Sequence, residues 1–144
     1  MLNFSENRLA FDNCMAINLN QAKNFLLNKR LAKEKARHVL FLTASRDFEK
    51  ILAMIISDYN PQKIYQWGSM LHPENFREYS DIDIAIEGLE GKEGKSRAEI
   101  FFELYNRALN LTQFPLDLLE IDKIEPVYSD IIRKKGKIVY ERGK

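Results

Sequence analysis

The sequence predicts a mixed α/β sheet with helices packed mainly on one face, and three observations lead there. Apolar residues recur at helical spacing through the amino-terminal part of the chain. Lys63-Ile64-Tyr65-Gln66-Trp67, Asp81-Ile82-Asp83-Ile84-Ala85-Ile86 and Leu116-Asp117-Leu118-Leu119-Glu120-Ile121 read as strands bounded by glycine, proline or serine. Periodic stretches follow the second and third of these, so the order is helix, helix, strand, turn, strand, helix, strand, helix, short strand.

Met15, Leu19, Ala22 and Leu26 stand at spacings of four, three and four, which makes one apolar stripe on a first helix. Lys29, Arg30, Lys33, Lys35 and Arg37 then crowd together with only Glu34 against them. This run reads as a solvated helix face rather than a contact for a phosphate backbone. The stripe resumes through Phe41, Ala44, Phe48, Ile51, Leu52 and Ile55 until Asn60-Pro61 stops it. The helix either runs on from the basic segment or breaks near Thr43 to Ser45, where Ser45 could cap a new start. Met70 to Tyr79 reads as an irregular polar span, and Gly88 to Lys95 as a glycine-broken loop. Ser96 is an N-cap for a helix carrying Ile100, Phe101, Leu104, Tyr105 and Ala108. Pro126 to Lys135 is a short helix ended by Gly136, and Lys137 to Glu141 is a last strand. One domain over 1–144 is expected, with residues 1–44 a helical extension and residues 45–144 the core.

Composition narrows the class. Apolar residues are 45% and charged residues 30% of the chain, as in an ordinary folded protein. The 22 basic and 21 acidic residues nearly cancel, so no general attraction to nucleic acid is indicated. Cys14 is the only cysteine, which rules out an internal disulfide and suits a reducing compartment. The amino terminus lacks a basic region followed by an apolar run, and the apolar run Ile51 to Ile56 is too short to span a bilayer. A cytoplasmic protein with no membrane attachment is expected.

The chemistry concentrates at two places. On a strand, Asp81 and Asp83 share one face while Ile82, Ile84 and Ile86 share the other. Two carboxylates roughly 7 Å apart along a strand repel unless a cation lies between them, which suits a divalent metal. Upstream, Gly68 lets a backbone approach phosphate oxygens and the Ser69 hydroxyl can donate to them. A metal–triphosphate is the ligand these groups would hold together. Asp117 sits alone among leucines in the third strand and needs a partner, which a hydrogen bond at the strand end would supply, with Glu120 and Asp122 as the alternate acids of the same stretch. Gly88 to Ser96 ends in Gly-Lys-Ser like a phosphate-binding loop. Five residues separate Gly88 from Gly94 where that motif needs four, and Glu90 and Glu93 would repel phosphate.

Gly68-Ser69, eleven intervening residues, then Asp81-x-Asp83 between aliphatics resembles the signature of the minimal nucleotidyltransferases of the DNA polymerase β-like superfamily. The likeness extends through Ser80 to Gly88, the helix to Leu109, Phe114 to Leu119 and Gly136 to Tyr140. It implies a polymerase β palm-like fold and transfer of a nucleoside monophosphate from a nucleoside triphosphate, ATP foremost, to an acceptor hydroxyl with release of pyrophosphate. It implies that Asp81, Asp83 and Asp117 are catalytic and bind Mg2+, with Mn2+ as the substitute, and that Gly68 and Ser69 bind the nucleotide. The family often carries an Ala-Arg-Gly-like run after the serine where this chain has Met70-Leu71-His72. Arg77 is then the candidate source of positive charge for the phosphates. The resemblance also implies a HEPN-type partner protein, as in toxin–antitoxin pairs. The alternative is a non-catalytic, antitoxin-like module that neutralises its partner by contact. The amino-terminal stripes are expected to serve a partner or self-association, so a homo-oligomer is among the expectations.

Overall fold

The computed structural model describes residues 4–144, with side chains described at Asp12, at Met15 and from Asn18 onward. The first three residues of the expected extension and the side chain of Cys14 lie outside the described residues. The elements are α1 (Phe4–Asp58), β1 (Lys63–Trp67), β2 (Ile82–Glu87), α2 (Arg97–Leu109), β3 (Leu116–Glu120), α3 (Pro126–Lys135) and β4 (Lys137–Glu141). The two expected amino-terminal helices are one: α1 does not break at Thr43 to Ser45, and the Thr43 hydroxyl donates to the Val39 carbonyl within the helix, 2.9 Å away. The chain divides into two compact units, Met1–Ala36 and Arg37–Lys144. Residues 37–44, on the extension side of the expected boundary, belong to the second unit, where Leu40, Phe41 and Ala44 join the core.

In the second unit the sheet runs β3-β2-β1-β4, with β2 and β3 parallel and both other pairings antiparallel. Strand alternation sends Ile64, Ile82, Ile84, Ile86 and Leu118 to one face. There they meet Ala44, Phe48, Ile51 and Ile55 of α1 and Ile100, Leu104 and Ala108 of α2. Arg107 of α2 reaches Asp58 at the end of α1 at 2.5 Å, and the Thr112 hydroxyl donates to Asp47 at 2.8 Å. The other face is smaller: Tyr65, Ala85 and Ile121 pack against Ile132 of α3. The face of β2 that bears Asp83 is acidic at both ends, Asp83 at its start and Glu87 at its end, where Glu87 pairs with Arg133 at 3.0 Å and accepts from the Tyr65 hydroxyl at 2.9 Å, with Ala85 between them. Helix α2 begins where expected, with Ser96 accepting from the Glu99 N–H and Glu99 accepting from the Ser96 N–H.

The span Met70 to Tyr79 is more ordered than its polar composition indicates. Two short 3-10 turns, Gly68–Leu71 and Pro73–Asn75, are pinned by buried Met70 and by Phe76. The Phe76 ring is fully buried, 5.7 Å from Phe41 and 5.9 Å from Phe114. Removing it opens a cavity that the helix on one side and the strand approach on the other are poorly able to fill. Phe76→Ala is expected to lower unfolding free energy by about 3–5 kcal/mol in denaturant titration. A loss below 1 kcal/mol, on the order of a surface change, would mean the loop is not anchored there.

Candidate active site

The register of the sheet assembles the site. Trp67, the last residue of β1, stands opposite Asp83 of β2, and Asp83 stands opposite Asp117 of β3. Paired residues point to the same face, and neighbouring strands lie about 4.8 Å apart, so the two acids are side by side. Asp81 precedes β2 by one residue and is exposed, as is Asp117, whereas Asp83 is only 9% exposed. The two candidate acids of one expected strand thus differ in setting: Asp81 stands at the rim and Asp83 below it.

Gly68 makes the burial of Asp83 feasible. Its φ of +74° is one that side-chain-bearing residues rarely adopt, and a Cβ built there would lie 2.1 Å from Asp83 Oδ2. The carboxylate therefore rests against the bare Gly68 backbone. Ser69 follows in the 3-10 turn, its hydroxyl 3.4 Å from the Asp81 carbonyl, so the Gly-Ser turn and the start of β2 are in contact. The Trp67 indole N–H is buried with no hydrogen-bond acceptor among the described residues. Sequence reading treated Trp67 only as a strand end. Its adjacency to Asp83 depends on β1–β2 register, and a tryptophan before a Gly-Ser pair was the one available hint.

Electrostatics report the crowding. The Asp83 carboxyl is pushed up to about 6, chiefly by burial and then by the charges of Asp117 and Asp81. Asp117 is also raised, by burial and then by Asp81. Arg77 Nη1 donates to the carbonyls of Glu74 and Phe76, each at 3.0 Å. His72 is exposed beside Glu74. The alternates for the third acid have other partners, since Glu120 pairs with Arg97 at 2.8 Å and Asp122 accepts from the Gly88 N–H at 2.9 Å. Lys95 of the Gly-Lys-Ser stretch is paired with Glu103 at 2.9 Å. A cavity of about 630 Å³ lies against α1 and β4, lined by Phe48, Met70 and Val139 among others, and none of the three carboxylates lines it.

Among the described residues, no three His, Cys, Asp or Glu side chains converge tightly enough to form a ready-made metal cage. The donor set nonetheless suits a hard divalent cation, being all carboxylate oxygen with no sulfur or imidazole. Mutual repulsion is what would hold such acids apart in the absence of the ion.

A carboxyl whose pKa is higher folded than unfolded binds more protons in the folded state, so it costs stability as pH rises through that range. For Asp83 the cost is absent near the unfolded value of 3.8 and complete above about 6. Asp83→Asn is expected to raise stability at pH 8 by at most about 3 kcal/mol in metal-free buffer, with the gain shrinking toward pH 4. Equal stability of the two proteins at both pH values would refute the buried-charge account.

The sheet, the acids and the Gly-Ser turn can be set beside known proteins. The family model described as "Polymerase beta, Nucleotidyltransferase" matches residues 49–144. No curated protein matches the chain. A crystal structure of a toxin-antitoxin with AMP-PNP aligns at a TM-score of 0.50 and 22% identity, covering 66% of this chain and 74% of that one. A crystal structure of the toxin-antitoxin MntA-HepT aligns at 0.48 and 19%, covering 67% and 72%. The chain shares its fold with the solved structure with AMP-PNP, and the family match spans β1 to β4 together with all three acids. The chain belongs to the polymerase β nucleotidyltransferase family.

Proposed function

We propose that the chain transfers a nucleoside monophosphate from a nucleoside triphosphate, ATP foremost, to an acceptor hydroxyl, using Asp81, Asp83 and Asp117. The observation that carries this reading is the side-by-side register of Asp83 and Asp117 beneath the Gly68-Ser69 turn. Asp81 and Asp83 would hold Mg2+ together with the triphosphate, and Asp117 would complete the site on the acceptor side. Magnesium bound there would supply Lewis-acid polarisation of the phosphates and neutralise charge on the departing pyrophosphate. The Gly68-Ser69 turn would bind the phosphates, the Ser69 hydroxyl turning from the Asp81 carbonyl to donate to one of their oxygens. Asp117, exposed and more basic than an ordinary carboxyl, accepts a hydrogen bond from the acceptor hydroxyl and aligns its oxygen. The acceptor oxygen bonds to the α-phosphorus as its proton passes to the Asp117 carboxylate and the bond to the oxygen bridging the α- and β-phosphates breaks, and pyrophosphate leaves.

For the acceptor, we place a hydroxyl on a partner protein of the HEPN type. The fold neighbour being a toxin-antitoxin with AMP-PNP supports both the partner and the nucleotide. A second reading keeps the nucleotide site but makes the chain a non-catalytic antitoxin acting by contact. Its support is the commitment of the Arg77 guanidinium to loop carbonyls, which leaves the phosphates without that charge.

Calorimetric titration with AMP-PNP tests the assignment. Binding is expected to require Mg2+ and to weaken about tenfold or more in Asp81→Asn and Asp83→Asn, a loss of about 1.4 kcal/mol or more. Asp117→Asn is expected to bind nucleotide nearly as the unaltered chain does while losing transfer of α-label to the partner. Undiminished binding in the first two variants would remove the metal site. Transfer that survives Asp117→Asn would remove the role given to Asp117.

A further inference from the structure

The apolar side chains described in the amino-terminal part of α1, up to Ala36, face solvent. Every residue from 18 to 36 is exposed, including Leu19 at 59%, Phe25 at 66% and Leu26 at 63%. Met15 is 50% exposed as well. A helix draws most of its stability from packing an apolar face, and exposed apolar stripes of this kind mark interaction sites. The family match begins at residue 49, so this segment is an addition to the catalytic fold.

The order of residues along the stripe indicates what covers it. Met15, Leu19, Ala22 and Leu26 are spaced four, three and four, a pattern that reads the same from either end. Its centre falls between Asn20 and Gln21. Two copies laid antiparallel about a two-fold axis at that point set Met15 against Leu26 of the second copy and Leu19 against Ala22 of the second copy. Each contact occurs twice, as an isologous interface requires. The same axis sets exposed Asp12 opposite Lys29 of the second copy at both ends of a stretch about 26 Å long. A parallel arrangement would instead bring Lys29 against itself, like charge on like charge beside the seam. Nucleic acid would satisfy the lysines but leave the apolar stripe uncovered. Phe25 lies about 90°, Leu27 about 110° and Leu31 about 150° round the helix from the centre of this seam, and none of the three is covered by it.

We propose that the amino-terminal part of α1 joins two copies of this chain through an antiparallel seam of Met15, Leu19, Ala22 and Leu26, closed at each end by Asp12 and Lys29. The inference is independent of the nucleotidyl transfer proposed above, because none of these residues belongs to the sheet unit.

Sedimentation equilibrium of the full chain at rising protein concentration is the test. A species of twice the 16.9 kDa chain mass is expected, and Leu19→Glu with Leu26→Glu should return it to one chain mass. Near-ultraviolet circular dichroism from Trp67 should be unchanged in that variant, showing that the sheet unit is still folded. Lys29→Asp alone should weaken the dimer about tenfold, and adding Asp12→Lys should restore it. A single-chain mass at every concentration would overturn the proposal, as would a dimer indifferent to the glutamates. A tighter dimer in Lys29→Ala, which relieves like charge only where Lys29 faces itself, would overturn the antiparallel register in favour of the parallel one. Failure of the second charge reversal to restore association would overturn the pairing of Asp12 with Lys29.

Discussion

Burying one carboxylate beside two others is the constraint around which the sheet unit is arranged. Asp83 is nearly inaccessible to solvent, lies against the backbone of Gly68, and feels the charges of Asp117 and Asp81. Burial and like charge both oppose ionisation, so the site is unfavourable for the fold taken alone. Three features hold it in place. Ile82, Ile84 and Ile86 anchor β2 from the opposite face, Ala85 seats the same strand against Tyr65 and Ile132, and parallel pairing fixes Asp117 alongside. The surrounding structure can sustain this cost because it is local and the apolar contacts on both faces of β2 are extensive.

The Gly-Ser turn shows how tightly the chemistry depends on the backbone. The Gly68 conformation ends β1 and starts the 3-10 turn that brings Ser69 to the Asp81 carbonyl. Any Cβ at this position would displace the carboxylate it now accommodates. Behind it, Met70 and Phe76 fix the loop to the core, and the Ser80 hydroxyl accepts from the Arg77 N–H just before Asp81. The run from Gly68 to Asp81 is a braced connection whose two ends meet at the site.

Much of this was legible in the sequence, for physical reasons that differ by element. Alternating isoleucines beside Asp81 and Asp83 could belong only to a strand with one apolar face, and Ser96 with Glu99 announced a helix start through local hydrogen bonding. Asp117 was recognisable as an acid out of place among leucines. What escaped depends on long-range pairing. The proximity of Trp67 to Asp83 comes from register between strands, and the ordering of Met70 to Phe76 comes from burial against Phe41 and Phe114, which lie far away in the chain. The continuity of α1 through Thr43 to Ser45 is left open by the sequence, because Ser45 can sit inside a helix as well as at its start when its neighbours pack. Arg77 is a candidate for the phosphates in the sequence, and the donation of its Nη1 to the Glu74 and Phe76 carbonyls of its own loop is something no spacing reveals.

The central claim is that Asp81, Asp83 and Asp117 form one metal–triphosphate site under Gly68 and Ser69. The most direct measurement is anomalous diffraction from crystals grown with Mn2+ and a non-hydrolysable nucleoside triphosphate. The account predicts anomalous density in contact with Asp81 and Asp83, phosphate oxygens at Gly68 and Ser69, and the α-phosphate turned toward Asp117. Manganese and phosphates gathered instead at Gly94-Lys95-Ser96, or nucleotide bound with no anomalous density at the three carboxylates, would contradict it.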